Sequence, residues 1–301
     1  MHDKISVVGH TSLDYLFSVE KIAGPNESYP IIDYNTFYGG GAANVAAAIA
    51  ALGGRSQLIS AVGPDFEGSD YEIHLRDIGV DLSLMYTIEG EKNTSAFVYT
   101  DKEHNQCTYF HWGASRKFPE LEPPCVDFVH LATADSVFNS RIAKKAKFVS
   151  FDPGQDLVTY SEDRLRTILE NTNILFSNRH EIQRVCNILN VSFEDIKNMV
   201  DVVIVTYDSR GSVVYMDDKE YQIPVVEVEA ADPTGAGDGY RAGFLVAYTE
   251  GYPLEICGRI GSTVASFVVE SVGCQTSLPT WTQMKHRFET CFGPLVEPDK
   301  S

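Results

Sequence analysis

The sequence has no Cys-x-x-Cys pair, and its six cysteines, Cys107, Cys125, Cys186, Cys257, Cys274 and Cys291, have no histidine at metal-ligand spacing. That pattern argues against a zinc site or a disulfide framework and points to a reducing, cytoplasmic compartment. Basic residues are scarce. With 24 Lys and Arg against 42 Asp and Glu, the formal net charge is -18. A surface of that sign repels polyanions, so neither nucleic acid nor an anionic membrane is expected as a partner. No apolar run is long enough to span a bilayer, and the chain opens into a strand pattern without a basic-then-apolar leader. No Gly-x-x-x-x-Gly-Lys-Ser/Thr loop occurs, which removes support for a P-loop ATPase. Any phosphate must therefore be met locally, by amides, a metal ion or a few basic side chains.

What is present suits an enzyme. The chain has 301 residues and is 44% hydrophobic, enough for one α/β domain over residues 1–301 with a smaller appendage. Apolar runs at Ile5–His10, Ser56–Val62, Phe128–Ala132, Phe148–Asp152, Ile174–Asn178 and Val202–Thr206 read as buried strands, with helices at Val45–Leu52 and Asp70–Ile78. Ser95–Thr100 and Gln106–Trp112 alternate and are joined by the polar loop Asp101–Asn105, which reads as a hairpin. With the extended stretches near Leu16–Val19 and Ile31–Phe37, it would make a β lid over a pocket, drawn from about 14–38 and 94–112. One lid face would offer Phe97, Phe110 or Trp112 to a flat ligand; core or dimer packing is the other reading of these rings.

The stretch around which the chain is organised is Asp232-Pro-Thr-Gly-Ala-Gly-Asp238-Gly-Tyr-Arg241-Ala-Gly-Phe244. Gly235 and Gly237 allow a tight turn, and the apolar spacing after it continues as a helix. The unpaired amides of Gly235, Ala236 and Gly237, aided by the helix dipole, form an anion site, with Asp238 beside it as a general base. Spacing alone also admits a plain glycine-rich turn with an acid in the first helical turn. Arg241, one turn further on, reads as a helix-surface salt bridge, with an approach to phosphate or base as the alternative. Asp14 follows the first strand, the edge where open α/β sheets bind ligands; a surface loop is the alternative. Asn178 and Glu181 can form a helix capping box.

The stretch around Asp238 closely matches a signature of the ribokinase-like (PfkB) carbohydrate kinases, and Gly40–Gly63, with Asn44, Gly53 and Gly63, matches the other signature of that family. The resemblance extends over almost the whole chain. Within the family, Gly-His-Thr-Ser-Leu-Asp14, Phe-Asp152-Pro-Gly-Gln-Asp156 and Gly273-Cys-Gln-Thr-Ser-Leu-Pro look most like the archaeal nucleoside kinases of methanogens. It implies a three-layer α/β/α domain with a mostly parallel central sheet and a small β-sheet lid, sometimes used for dimerisation. The implied reaction is transfer of the γ-phosphoryl group of ATP to the 5′-hydroxyl of a ribonucleoside. A ribokinase- or fructokinase-type sugar kinase, an ADP donor and a catalytically idle nucleoside-binding regulator are the alternatives.

By the same resemblance, Asp238 takes the proton and Asp14, Gly40, Gly41 and Asn44 hold the ribose, with Gln106, Phe110 and Asp152 completing the acceptor site. Asn178, Thr206, Ser209, Gly211, Ser266 and Gly273 would meet the nucleotide. Glu181 and Asn178 would organise Mg²⁺ through water, and Asp232 and Ser277 would offer a site for K⁺. In the family turn after Val202–Thr206, Asp208 replaces a glycine, a position where Asp tolerates left-handed backbone.

Overall fold

The computed structural model describes residues 4–103 and 105–298; His104, in the expected hairpin loop, lies outside the described residues. Short apolar runs without alternation, such as Val202–Thr206, are buried on both faces, the environment of parallel strands. They build an eight-stranded sheet in the order β14 (Lys219–Ile223), β13 (Ser212–Met216), β12 (Val202–Thr206), β11 (Ile174–Asn178), β10 (Phe148–Phe151), β9 (Phe128–Leu131), β1 (Ile5–Val8), β4 (Ser56–Ile59). Strands from β4 to β12 run parallel, and β13 and β14 return antiparallel at one edge.

Helices cover both faces. On one lie α1 (Gly41–Ala51), α2 (Asp70–Ile78), α7 (Ala236–Glu250), α8 (Leu254–Val268) and α9 (Trp281–Phe292), over an apolar core that includes Val7, Phe176 and Ile204. On the other lie α3 (Ser136–Ala143), α4 (Glu162–Leu169), α5 (Arg179–Leu189) and α6 (Phe193–Met199), over Val8, Phe151 and Val203. This is the expected three-layer α/β/α architecture. Small side chains let α7 sit deep: a Cβ at Gly243 would stand 3.1 Å from the Gly261 Cα of α8. The start of α7 is thereby fixed near the start of alanine-rich α1.

A second sheet of four strands has the order β3 (Ile31–Gly39), β2 (Ser12–Val19), β7 (Thr94–Thr100), β8 (Gln106–His111). Its two central strands, β2 and β7, pair in parallel, and the outer ones are antiparallel to them. Only residues 9–11 separate β1 from β2, so Asp14 stands inside a lid strand and not in a loop after the first strand. The expected single strand Ser56–Val62 divides at Ser60. Strand β1 ends at Val8, so beyond Ile59 its neighbour has no partner there, and β5 (Ala61–Val62) pairs instead with β6 (Tyr86–Thr87). Among the described residues no helix is long and apolar enough to cross a membrane.

Candidate active site

The first turn of α7 has the expected local geometry. Gly235 is its N-cap in the left-handed region (φ 81°), and no side chain caps the helix. A Cβ there would also lie 2.7 Å from the Cys274 Sγ, so both backbone and space demand glycine. The Ala236 N–H already reaches the Pro233 carbonyl at 3.3 Å. Helix geometry leaves the N–H groups of Gly235, Gly237 and Asp238 itself as the donors for an anion. The amide of Asp238 was not among the expected donors.

Asp238 is held from two sides. Its Oδ2 accepts a 2.9 Å hydrogen bond from Asn44 Nδ2 of α1, and its Oδ1 accepts one of 3.1 Å from Arg241 Nη1. Burial raises its pKa; Arg241, then Asn44, oppose the rise. Asn44, expected on the ribose, therefore has an amide hydrogen directed at the Asp238 carboxylate.

Arg241 is not the expected surface salt bridge. Its side chain is only 15% exposed, and its Nη2 meets Asp152 Oδ2 at 2.8 Å while Nη1 meets Asp238. The helix turns this residue inward at i+3 from Asp238, toward the end of β10. There Asp152, 3% exposed, needs a cation, and Gly154 N–H adds a hydrogen bond of 3.2 Å. Asp152, expected at the acceptor, is thus an internal partner of Arg241. Burial raises its pKa, and the guanidinium opposes this.

Asp14, on lid strand β2, stands within electrostatic reach of Asp238. Ser12 Oγ donates to it at 2.7 Å, and a Cβ at Gly39 would lie 2.1 Å from its Oδ2. Burial is the main cause of its raised pKa, and the charge of Asp238 adds to it, so the two carboxylates sense one another. Gly41 is nearby: its Cβ would stand 3.9 Å from Asp238 Oδ1. Gly40, at φ 94°, is required by the His10 carbonyl, 2.3 Å from its would-be Cβ.

Strand register sorts the lid aromatics, because residues opposite one another share a face. Asp14, Phe37, Ala96 and Phe110 form one row across the sheet. Tyr15, Thr36, Phe97 and Tyr109 form the next, on the opposite face. Phe97 therefore takes the packing reading, stacked on Tyr15 with centroids 5.2 Å apart. Phe110 shares the Asp14 face, 38% exposed, and lies 5.4 Å from the Trp112 ring. Phe37 was missed; counting alternate residues back from Gly39 would have found it. Gln106 is on this face too, but four residues nearer the hairpin turn, about 13 Å along the strand.

On the donor side, Asn178 and Glu181 form a capping box: Asn178 Oδ1 accepts from the backbone of His180 and Glu181, and Glu181 Oε2 accepts from Asn178 N–H at 2.8 Å. The box uses one oxygen of Glu181, whose charge also acts on Asp152. Among the described residues, no group of three or more His, Cys, Asp or Glu could hold a metal directly. Hard oxygen donors at Glu181 and Asn178 suit a cation bound through water.

Thr206 ends β12 beside Asn178, and the next turn closes with Tyr207 N–H on the Gly211 carbonyl at 2.8 Å. Asp208 does adopt the left-handed region (φ 54°), and its carboxylate is 3.2 Å from Arg179. Ser209 is exposed in that turn. Ser266 differs from expectation: it is buried in α8, donating to the Thr263 carbonyl at 2.7 Å and accepting from Arg287 at 3.0 Å. Its hydroxyl is thus taken up in packing α8 to α9. Gly273 (φ 90°) lies under the lid, where a Cβ would meet Phe37 at 2.3 Å. Asp232 accepts from Thr234 N–H, and Ser277 lies 2.6 Å from Ser271.

A carboxylate at the uncapped start of a helix, beneath a β lid and at the carboxyl ends of parallel strands, suits phosphoryl transfer. The profile of the pfkB family carbohydrate kinases matches residues 2–281, and the chain belongs to that family. It is therefore a phosphotransferase with an alcohol acceptor. A nucleoside kinase of Methanocaldococcus jannaschii is 50% identical over 95% of this chain and 97% of its own. Its crystal structure superposes with a TM-score of 0.93, covering 96% of this chain and 98% of that one. A nucleoside kinase of Methanothermobacter thermautotrophicus is 45% identical over 95% of this chain and 96% of its own. A Burkholderia thailandensis nucleoside kinase bound to inosine is 25% identical, with a TM-score of 0.88 over 99% and 100% of the two chains.

Proposed function

We propose that this kinase transfers the γ-phosphoryl group of ATP to the 5′-hydroxyl of a ribonucleoside, giving a nucleoside monophosphate. The observation that carries the reading is the pairing of Asp238, at an uncapped helix start, with the carboxylate of Asp14 within electrostatic reach on the lid, in a chain half identical to a nucleoside kinase. Asp14 accepts from the ribose hydroxyls, with Gly41 leaving room for the sugar. Phe110 and Trp112 close over the base, and Gln106 lies further out on the same lid face. Asp238 removes the hydroxyl proton as the oxygen attacks, and the Gly235, Gly237 and Asp238 amides receive the charge of the moving phosphoryl group. Mg²⁺, when bound through Glu181 and Asn178, would neutralise phosphate charge. Thr206, Ser209 and Gly211 would line the phosphates, Gly273 the adenine side, and Asp232 with Ser277 would offer oxygens to K⁺.

The chain works as one domain with a lid, in the cytoplasm, where its six free cysteines would stay reduced. We also propose a homodimer through the outer lid face. Phe17 stacks there on Tyr34 and Tyr99, and Tyr34 and Tyr109 are 63% and 64% exposed, an aromatic surface in need of a partner.

The test is kcat/KM for inosine, cytidine, guanosine and adenosine against ribose and fructose 6-phosphate, in the wild type and in Phe110→Ala and Trp112→Ala. Nucleosides should win, and removing either ring should narrow their lead, since a stacked aromatic pair contributes about 0.5–1.5 kcal/mol. A free sugar that beats every nucleoside tenfold would reinstate the sugar-kinase reading.

A further inference from the structure

Behind Asn44 lies a chain of side chains to which the mechanism above gives no part. Gln275, from the turn after α8, is 8% exposed, and its Nε2 stands 2.9 Å from Asn44 Oδ1 and 2.7 Å from the Tyr71 hydroxyl of α2. The Tyr71 hydroxyl is 2.8 Å from the Gly39 carbonyl, and Gln275 Oε1 is 3.2 Å from His74 Nε2.

The donor direction of every link is fixed. A carbonyl only accepts, so Tyr71 gives its single proton to Gly39 and must accept from Gln275. An ionised Asp238 only accepts, so Asn44 must turn its NH₂ to it and its oxygen to Gln275. Turning over the Asn44 amide alone would set its oxygen against the Asp238 carboxylate and its NH₂ against the NH₂ of Gln275. Gln275 in turn presents its oxygen to His74, which donates from Nε2.

We infer that Gln275 is a positioning residue for the phosphoryl transfer: it locks the amide of Asn44 so that a donor, and never an oxygen, faces Asp238. The inference rests on Asp238 being the base. It also ties base to lid, since the same Tyr71 hydroxyl holds Gly39, the residue against which Asp14 packs. Without the lock, the Asn44 amide can turn over, Asp238 loses a hydrogen bond to its charged form, and its proton is held more tightly. The other groups around the base stay in place: Arg241 on its own helix, Asp152 after β10, Glu181 beyond it, Asp14 on the lid and Cys274 beside Gln275.

The experiment is the pH profile of kcat/KM for the nucleoside in the wild type, Gln275→Met, Asn44→Ala and the double variant. Gln275→Met should move the acid limb upward by about one unit, a loss of about tenfold on that limb and little on the plateau. In the Asn44→Ala background the same substitution should move nothing further. Gln275→Glu keeps the shape and, once ionised, only accepts, so above its own titration it should move the limb at least as far. A loss equal at all pH values, or the same shift without Asn44, would overturn the inference. An acid limb unmoved in Asp238→Asn overturns the base assignment itself, and is distinguishable because it does not involve Gln275.

Discussion

Asp238→Asn is expected to lower kcat by on the order of 10²–10⁴-fold while nucleoside binding stays close to normal. The amide keeps the size of the carboxylate and the contact to Asn44, so the site remains shaped for its ligand. What is lost is a group able to accept the hydroxyl proton as the oxygen attacks. Because burial raises the pKa of Asp238, the base is protonated at a higher pH than an ordinary aspartate. The wild-type rate should therefore fall on the acid side above the usual carboxylate range, and Asp238→Asn should lack that limb. Single-turnover rates with titrated nucleoside affinity measure both parts. A variant with near-normal kcat would remove Asp238 from the chemistry.

Arg241→Met should damage stability and rate together. The guanidinium lies between Asp152 and Asp238, and removing it leaves two carboxylates buried without their cation. Breaking a buried ion pair from one side typically costs about 3–5 kcal/mol. The sign with pH follows from the directions of the shifts. Both carboxyls already titrate above their ordinary value in the folded protein, and without Arg241 they would rise further. Protonation then favours the fold, so the penalty is largest above the raised folded pKa values and shrinks as pH falls through them. Adding Asp152→Asn should recover part of the stability by removing one of the two charges. Urea unfolding at neutral and acid pH measures this. Arg241→Met within 1 kcal/mol of wild type at neutral pH would show that the pair does not hold the site.

How much of this was legible in the sequence depended on how far apart the partners lie. Gly235 to Asp238 could be read because the turn, the uncapped helix start and the carboxylate are consecutive, and two glycines followed by apolar helical spacing leave few alternatives. Asp14 reads as a residue just past the first strand, at the start of a lid drawn from about residue 14; that the lid strand already begins at Ser12 was not legible, since nothing local marks where a three-residue crossing from one sheet to the other occurs. Arg241 was misread because, with Asp238 three residues before it, it resembles an exposed i,i+3 pair. Its second partner, Asp152, comes from another strand, and burial is a property of the assembled sheet. Phe97 and Phe110 were equivalent by alternation until the pairing register placed them on opposite faces. Ser266 was assigned by its place in a closing segment, whereas its environment is set by Arg287 of the following helix. Gln275 and Asn44 are 231 residues apart, and no spacing rule connects them.

The account's central claim is that the phosphoryl group goes from ATP to the 5′-oxygen of a nucleoside. Phosphorus NMR of the product formed from ATP and inosine tests it most directly. The account predicts a single phosphomonoester coupled to the two C5′ protons, with stoichiometric ADP. A phosphate on another ribose oxygen, or no nucleotide product while ribose or fructose 6-phosphate is phosphorylated under the same conditions, would contradict it.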